Sequence, residues 1–495
     1  MTEHLLSIML FLPLAGMLLL LLIPESQART IRLWSLGVSL ASFVVSVLAL
    51  SRFDISSAGF QLVERAPWIP TLGVQYAIGL DGISLLLVLL TTVICPIAFL
   101  ASWNVTQKIK AFHALFLLIE TATLGVFLSL DGFLFYLFFD LVLIPMYFVI
   151  ALCGGPRRLY ASLKFFLYTL CGSVLMLLGL IGLYFAHISQ FGYPSFEIAD
   201  LMKLTLPLAT QRWIFWALFA GFAVKIPMFP FHTWLPDAHV EAPTAGSVVL
   251  ASLLLKLGTY GFLRFSLPLV PQASSDLTIV RILLTLSIIG ILYGALVSLM
   301  QREWKRLIAY SSVSHMGFCT LGIFALNPIG IAGSILQQVN HGISTALLFL
   351  LAGMMYDRRG AREISAYGGV ASSMPRFAFI FGVAVFSSAG LPLLNGFVGE
   401  FAILQGAFQV SRTWAAFGVA GLVLAAAYLL WLYQRTMLGP ITHEENRNLL
   451  DLNARETAVL LPLVALAFAI GLYPKPLFDI VQKPVAELVE RVHHK

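Results

Sequence analysis

The stretch Trp213-Ile-Phe-Trp-Ala-Leu-Phe-Ala-Gly-Phe-Ala-Val-Lys225-Ile-Pro227-Met-Phe-Pro230-Phe-His232 decides how the chain is read. It is long and apolar enough to lie in hydrocarbon, yet it holds a lysine and two prolines. A proline inside a helix removes a hydrogen bond and frees carbonyls that lipid cannot satisfy. A lysine at mid-span costs ~2.5–3.5 kcal/mol on insertion scales. The segment therefore reads as a broken membrane helix whose break and charge face protein or water.

Similar apolar runs lie on both sides of it. Candidate spans are 5–23, 31–50, 83–103, 112–130, 133–153, 162–187, 212–236, 244–267, 277–300, 307–326, 329–356, 377–408, 413–438 and 457–473, each near the ~20 residues a helix needs to cross the bilayer core. Of 495 residues, 59% are hydrophobic and only 11% charged, which excludes a water-soluble fold. The runs are continuous rather than alternating, which excludes a barrel. The predicted architecture is all-α and integral to the membrane, with about fourteen helices.

The net charge of +6 is spread over short loops without a long basic run, so no nucleic-acid partner is expected. Arg157-Arg158, Arg302, Lys305, Arg306, Arg358, Arg359 and Arg362 follow odd-numbered spans, whereas the other loops hold only Arg52, Arg65, Lys203, Arg212, Arg281 and Arg412. By the positive-inside rule both termini face outward. Residues 5–23 lack the basic flank of a signal peptide and read as the first span. Cys95, Cys153, Cys171 and Cys319 are dispersed and read as packing residues. After Tyr473, the run Val485-Ala-Glu-Leu-Val-Glu-Arg491 is expected to lie amphipathically on the membrane surface, against lipid.

A second interruption, Ala389-Gly390-Leu391-Pro392-Leu-Leu-Asn395-Gly396, stands in the twelfth span. The two breaks are five helices apart, so helices 4–8 (112–267) and 9–13 (277–438) are candidates for two copies of one unit. An odd helix number inverts one copy relative to the other. Residues 1–111 would add three leading helices, and 439–495 a last helix and the tail.

Asp140, Lys225, Lys256 and Glu400 all fall deep within spans, and Glu120, His315 and His341 lie at comparable depth. At ~1.5 Å of rise per residue they share one layer parallel to the membrane. One such pair would merely hold two helices in register; several at one level suit proton transfer better than a sugar or lipid substrate. An Asp140–Lys225 contact at ~4 Å is worth roughly 4 kcal/mol at an effective dielectric near 20, and about half that at ~8 Å. Opening and closing it would therefore load and unload a proton. Lys164 is expected to snorkel to the interface, and Arg264, in line with Lys256 and Tyr260, to line an exit or anchor a helix end. The run His232-Thr-Trp-Leu-Pro-Asp237-Ala-His239-Val-Glu241 fits no standard metal spacing, and no metal is expected.

Gly79-Leu-Asp81-Gly-Ile-Ser84, Ile144-Pro-Met-Tyr147, Val224 through Thr244, Ala309-Tyr-Ser-Ser-Val-Ser-His315 and Gly390 through Glu400 resemble the antiporter-like, proton-translocating subunits of respiratory complex I, the NADH-quinone oxidoreductase. The likeness spans nearly the whole chain. It implies fourteen core helices in two inverted repeats with helices 7 and 12 broken. It assigns relay roles to Lys225, Lys256, Glu400 and Glu120, and it draws attention to His232 in the helix-7 motif. It also implies that this chain carries no cofactor, the complex holding its FMN, iron–sulfur clusters and quinone site in other subunits. Expected partners are the other membrane-arm subunits, among them antiporter-like L and N types and small subunits, together with lipids of a bacterial cytoplasmic membrane. The helix-5 acid of the family is usually Glu, whereas here it is Asp140, one methylene shorter, which implies a longer or water-bridged approach to Lys225. A cation/proton antiporter subunit and a passive scaffold are the competing readings; Glu400, where antiporter subunits usually carry Lys, argues against the first.

Overall fold

The computed structural model describes residues 4–493, and it is overwhelmingly helical. Among these residues eleven helices are long and apolar enough to cross a membrane. They run from Ala28–Ser51 to Ala454–Leu472 and match the expected spans to within a few residues. The other expected crossings fall on the shorter helix Leu5–Leu20 and on two interrupted helices. One interrupted helix is Leu208–Lys225 followed by Trp234–Glu241; the other is Pro375–Ser388 followed by Asn395–Val410.

Several helices begin at a side-chain cap that satisfies their free amides. Asp81 accepts from Ile83 N and Ser84 N at 3.1 and 2.9 Å, Asp131 from Phe133 N and Leu134 N, and Asp276 from Thr278 N. Each anion also opposes the positive end of the helix dipole.

Burial is graded from the centre outward. Thr244–Leu269 is enclosed along its whole length, and Trp304–Phe324 and Pro328–Arg359 nearly so. Ala28–Ser51, Arg158–Phe191 and Arg412–Met437 bury one face and turn leucines, valines and phenylalanines outward. The three enclosed helices carry Lys256, His315 and His341, so the ionisable side chains sit where the protein is thickest.

Two elements depart from the sequence reading. Gln61–Ile69 and Val74–Leu80 pair as an antiparallel hairpin across Gly73, between the second and third expected spans of a chain read as all-α. The amphipathic tail forms the helix Lys475–His493, but its apolar face is not left to lipid. Ile480, Val481, Val485, Leu488 and Val492 are buried against the chain itself. Arg491 Nε donates to Pro268 O at 2.9 Å, and His493 Nε2 lies 2.9 Å from Leu326 O.

Candidate functional site

Lys225 is the last residue of its half-helix, where the negative end of the dipole favours a cation. The chain then leaves helical geometry through Pro227, and Trp234 Nε1 returns to donate to Val224 O at 2.9 Å, closing the break. The Lys225 ammonium is buried, has no hydrogen-bond partner among the described residues, and stands 4.7 Å from the centre of the Phe139 ring. Asp140 lies near enough to be felt electrostatically, but its carboxylate is beside the hydroxyls of Tyr136 and Ser173, and no ion pair joins it to Lys225. The Asp140–Lys225 pair is thus not closed.

The second half of the site is closed up. Lys256 lies between two wide π turns, Leu250–Leu254 and Phe262–Ser266, in the Thr244–Leu269 helix. Its Nζ donates to Ala251 O at 2.5 Å and lies 2.7 Å from His341 Nδ1. The His341 and His315 rings are 5.8 Å apart centre to centre, and His315 Nδ1 is 3.0 Å from Glu400 Oε1. Lys256, His341, His315 and Glu400 therefore form one row across three helices and the second break. All four are buried.

Glu400 belongs to the half-helix that begins at Asn395, and its Oε2 turns back over Gly390. Gly390 has a φ of +72°, and a Cβ there would lie 2.5 Å from that oxygen. The absence of a side chain thus gives the carboxylate its place. Asn395 holds the break, accepting from Ser387 Oγ at 2.6 Å and donating to Asn340 O at 3.2 Å.

Two further predicted residues stand apart from both halves. Glu120 is fully buried, and among the described residues only Ser39 Oγ is bonded to its carboxylate, at 3.0 Å. His232 is buried in the helix-7 break, stacked on Phe229 and edge-on to Tyr293. Lys164 pairs its Nζ with Asp237 Oδ2 at 2.7 Å. Arg264 is an anchor, paired with Asp81 at 2.6 Å and donating to Tyr260 OH at 3.1 Å.

Other polar residues complete the site without having been picked out. Gln337 Nε2 donates to Glu400 Oε1 at 3.0 Å, Gln338 accepts from Thr259 at 2.6 Å, and Tyr428 OH is 3.4 Å from His315 Nε2. The run Gln337-Gln338-Val-Asn340-His341 inside an apolar helix was the available signal, since lipid tolerates no such cluster without partners. Among the described residues no three His, Cys, Asp or Glu side chains gather as a metal site.

Residues 129–426 match the family model described as NADH:quinone oxidoreductase/Mrp antiporter, TM. The chain is 45% identical to NADH-quinone oxidoreductase subunit M of Rhodobacter capsulatus, over 99% of this chain and 97% of that one. It is 44% identical to NADH-ubiquinone oxidoreductase chain 4 of Arabidopsis thaliana, over 98% and 97%. Its fold superposes on a chain of respiratory complex I from Thermus thermophilus solved with bound NADH, with a TM-score of 0.88, 32% identity, and 98% and 99% of the two chains covered. With its broken helices, its buried row of ionisable residues and this full-length likeness, the chain belongs to the subunit M and chain 4 branch of the NADH:quinone oxidoreductase/Mrp antiporter membrane family.

Proposed function

We propose that the chain is a proton-translocating subunit in the membrane arm of an NADH-quinone oxidoreductase. It would move protons along Asp140, Lys225, Lys256, His341, His315 and Glu400, driven by redox energy released in other subunits. The observation that carries the reading is the buried row from Lys256 through the two imidazoles to Glu400, with one gap of 5.8 Å between the ring centres. Each member both takes and gives a proton, and each neighbour changes the cost of doing so. The open Asp140–Lys225 approach supplies the second requirement, a contact whose closing changes the lysine's affinity for its proton.

Glu120 and His232 serve this path from its flanks. The partners are the other membrane-arm subunits, including antiporter-like L and N types and small subunits, and the surrounding lipid. FMN, iron–sulfur clusters and quinone belong to those other subunits. The chain divides into leading helices (1–111), two inverted five-helix repeats (112–267 and 277–438) and a closing helix with its tail (439–495), fourteen crossings in all. It resides in a bacterial cytoplasmic membrane with both termini on the outer side, the side opposite its arginine-rich loops.

The test replaces Lys225 by Met, Asp140 by Asn or Glu400 by Gln and measures NADH-driven acidification of inside-out vesicles. Acidification is expected to fall by about tenfold or more, the usual cost of losing a proton-transfer group, with the complex still assembled. Parental pumping in all three variants would assign the buried charges to assembly alone. Sodium-dependent proton exchange without the dehydrogenase subunits would assign the chain to antiport.

A further inference from the structure

A second polar seam, apart from the row just described, lies between Ala28–Ser51, Gly82–Ala101 and Ile109–Leu128. Ser35, Ser39, Ser42 and Ser46 recur at steps of four, three and four residues, which sets them on one helix face. All four are fully buried, although their helix exposes much of its remaining surface. The fourth helix contributes His113, Glu120 and Thr123, again at helical spacing and again buried. Ser39 Oγ donates to Glu120 Oε1 at 3.0 Å, and Ser46 Oγ meets Thr92 Oγ1 of the third helix at 2.7 Å. The Arg32 guanidinium stands near His113 at the end where both helices begin.

Small residues between helices allow close packing, and a serine in that role turns its hydroxyl back to its own helix. Ser35 and Ser46 do so, bonding Ile31 O at 3.0 Å and Phe43 O at 2.7 Å. Packing does not account for the rest. Arg32 Nε, both nitrogens of His113, Glu120 Oε2, Ser42 Oγ and Thr123 Oγ1 are buried and bonded to no protein atom among the described residues. A carboxylate oxygen in that setting is costly, and the groups able to satisfy it are small polar molecules with two to four partners each.

We propose that this seam holds a column of water leading to Glu120, giving the subunit a proton route along the membrane normal and distinct from the lateral row; it rests on the reading of the chain as a proton translocator. Hydroxyls and waters each accept one hydrogen bond while donating another, so a proton entering near Arg32 and His113 is passed along without net movement of oxygen. It reaches Glu120 Oε2, turning the carboxylate into a neutral acid, and leaves it along the hydroxyls of Ser42 and Thr123 and the Ser46–Thr92 pair, which restores the anion. The site takes water and protons rather than a metal ion, because a single carboxylate and hydroxyls supply little charge for a dehydrated cation.

The test uses the assembled complex in membrane vesicles. Ser42→Cys is compared with Val44→Cys, whose parent side chain faces outward, for reaction with methanethiosulfonate ethylammonium, with labelled sites located by mass spectrometry. Only a thiolate reacts, so the rate reports water; Ser42→Cys is expected to react at least about tenfold faster. In parallel, Ser42→Leu is expected to lower the protons moved per NADH, whereas Ser42→Thr retains them. Equal labelling at the two positions would make the seam dry packing and overturn the proposal. Rapid labelling with parental pumping in Ser42→Leu would leave water but remove the route, and protection of Ser42→Cys by sodium would replace the proton by a cation. Because Lys225→Met tests the lateral row independently, failure here and failure of the function are told apart.

Discussion

Glu400 shows how much of the site depends on single residues that carry no charge. Its free oxygen occupies the space over Gly390, at a backbone angle that an L side chain adopts only at a cost of ~1–2 kcal/mol. Gly390→Ala is expected to push the carboxylate off His315 and cut proton translocation by about tenfold, in the manner of a misplaced proton-transfer partner; pumping per NADH, measured beside the amount of assembled complex, checks it. Asp131, just outside the fifth span, offers a pH test. Burial raises its carboxyl from 3.8 to about 6 against the amide bonds it accepts. A raised acid contributes its stability in full below the unfolded value and loses it as pH rises through about 6. Asp131→Asn keeps an oxygen to cap the helix, loses the one that accepts from Gln75 N at 3.1 Å and carries no charge, so its Tm relative to the parent's should rise between about pH 4 and about pH 7. The charged residues themselves were legible in the sequence because lipid makes them conspicuous. Whether Asp140 touches Lys225 was not, since that turns on the rotamers of Tyr136 and Ser173 beside it.

Helices follow from composition, and their breaks follow from proline and glycine, so both were legible to within a few residues. The hairpin was not. Pro67 and the charged Glu64-Arg65 pair interrupt any alternation in Gln61–Ile69, and the pairing comes from its neighbour strand rather than its own pattern. The π turns around Lys256 were equally silent, for they arise where the helix is gripped on every side. The tail's amphipathic pattern was visible, yet a stripe of that kind does not say whether it covers lipid or protein. Helix ends also depend on pairs distant in sequence, and Arg264 with Asp81 is the most enclosed of these. Asp81 starts the third helix and Arg264 lies near the end of the eighth, with Tyr260 OH bonded onward to Phe127 O at 3.0 Å. Arg264→Leu leaves the aspartate buried and alone, at ~3–5 kcal/mol. A lower yield of assembled complex and an earlier thermal transition are expected, with partial rescue in Arg264→Lys; a parental melting curve would show that water already screens the pair.

Taken as a whole the molecule is asymmetric along its own charge layer. Its first half holds Asp140 and Lys225 apart, whereas its second half ties Lys256, His341, His315 and Glu400 together at 2.7 and 3.0 Å around one imidazole gap. That gap is the weakest joint in the row: the two rings sit 5.8 Å apart, and His341 Nε2 has no partner. A proton on Lys256 can reach Glu400 only by crossing it, through a ring rotation or one bridging water. His341→Gln preserves a polar side chain of similar reach but cannot pick up and release a proton at the pH of the cell. If the row works as a series of transfers, this variant should assemble fully and lose translocation by about tenfold or more, and His315→Gln combined with it should cost little further, because a series already cut is not cut again. Two independent losses that multiply in the double variant would mean that the imidazoles serve separate paths, with Lys256 discharging elsewhere than to Glu400. The comparison of single and double variants therefore decides whether the second half is one conduit or two.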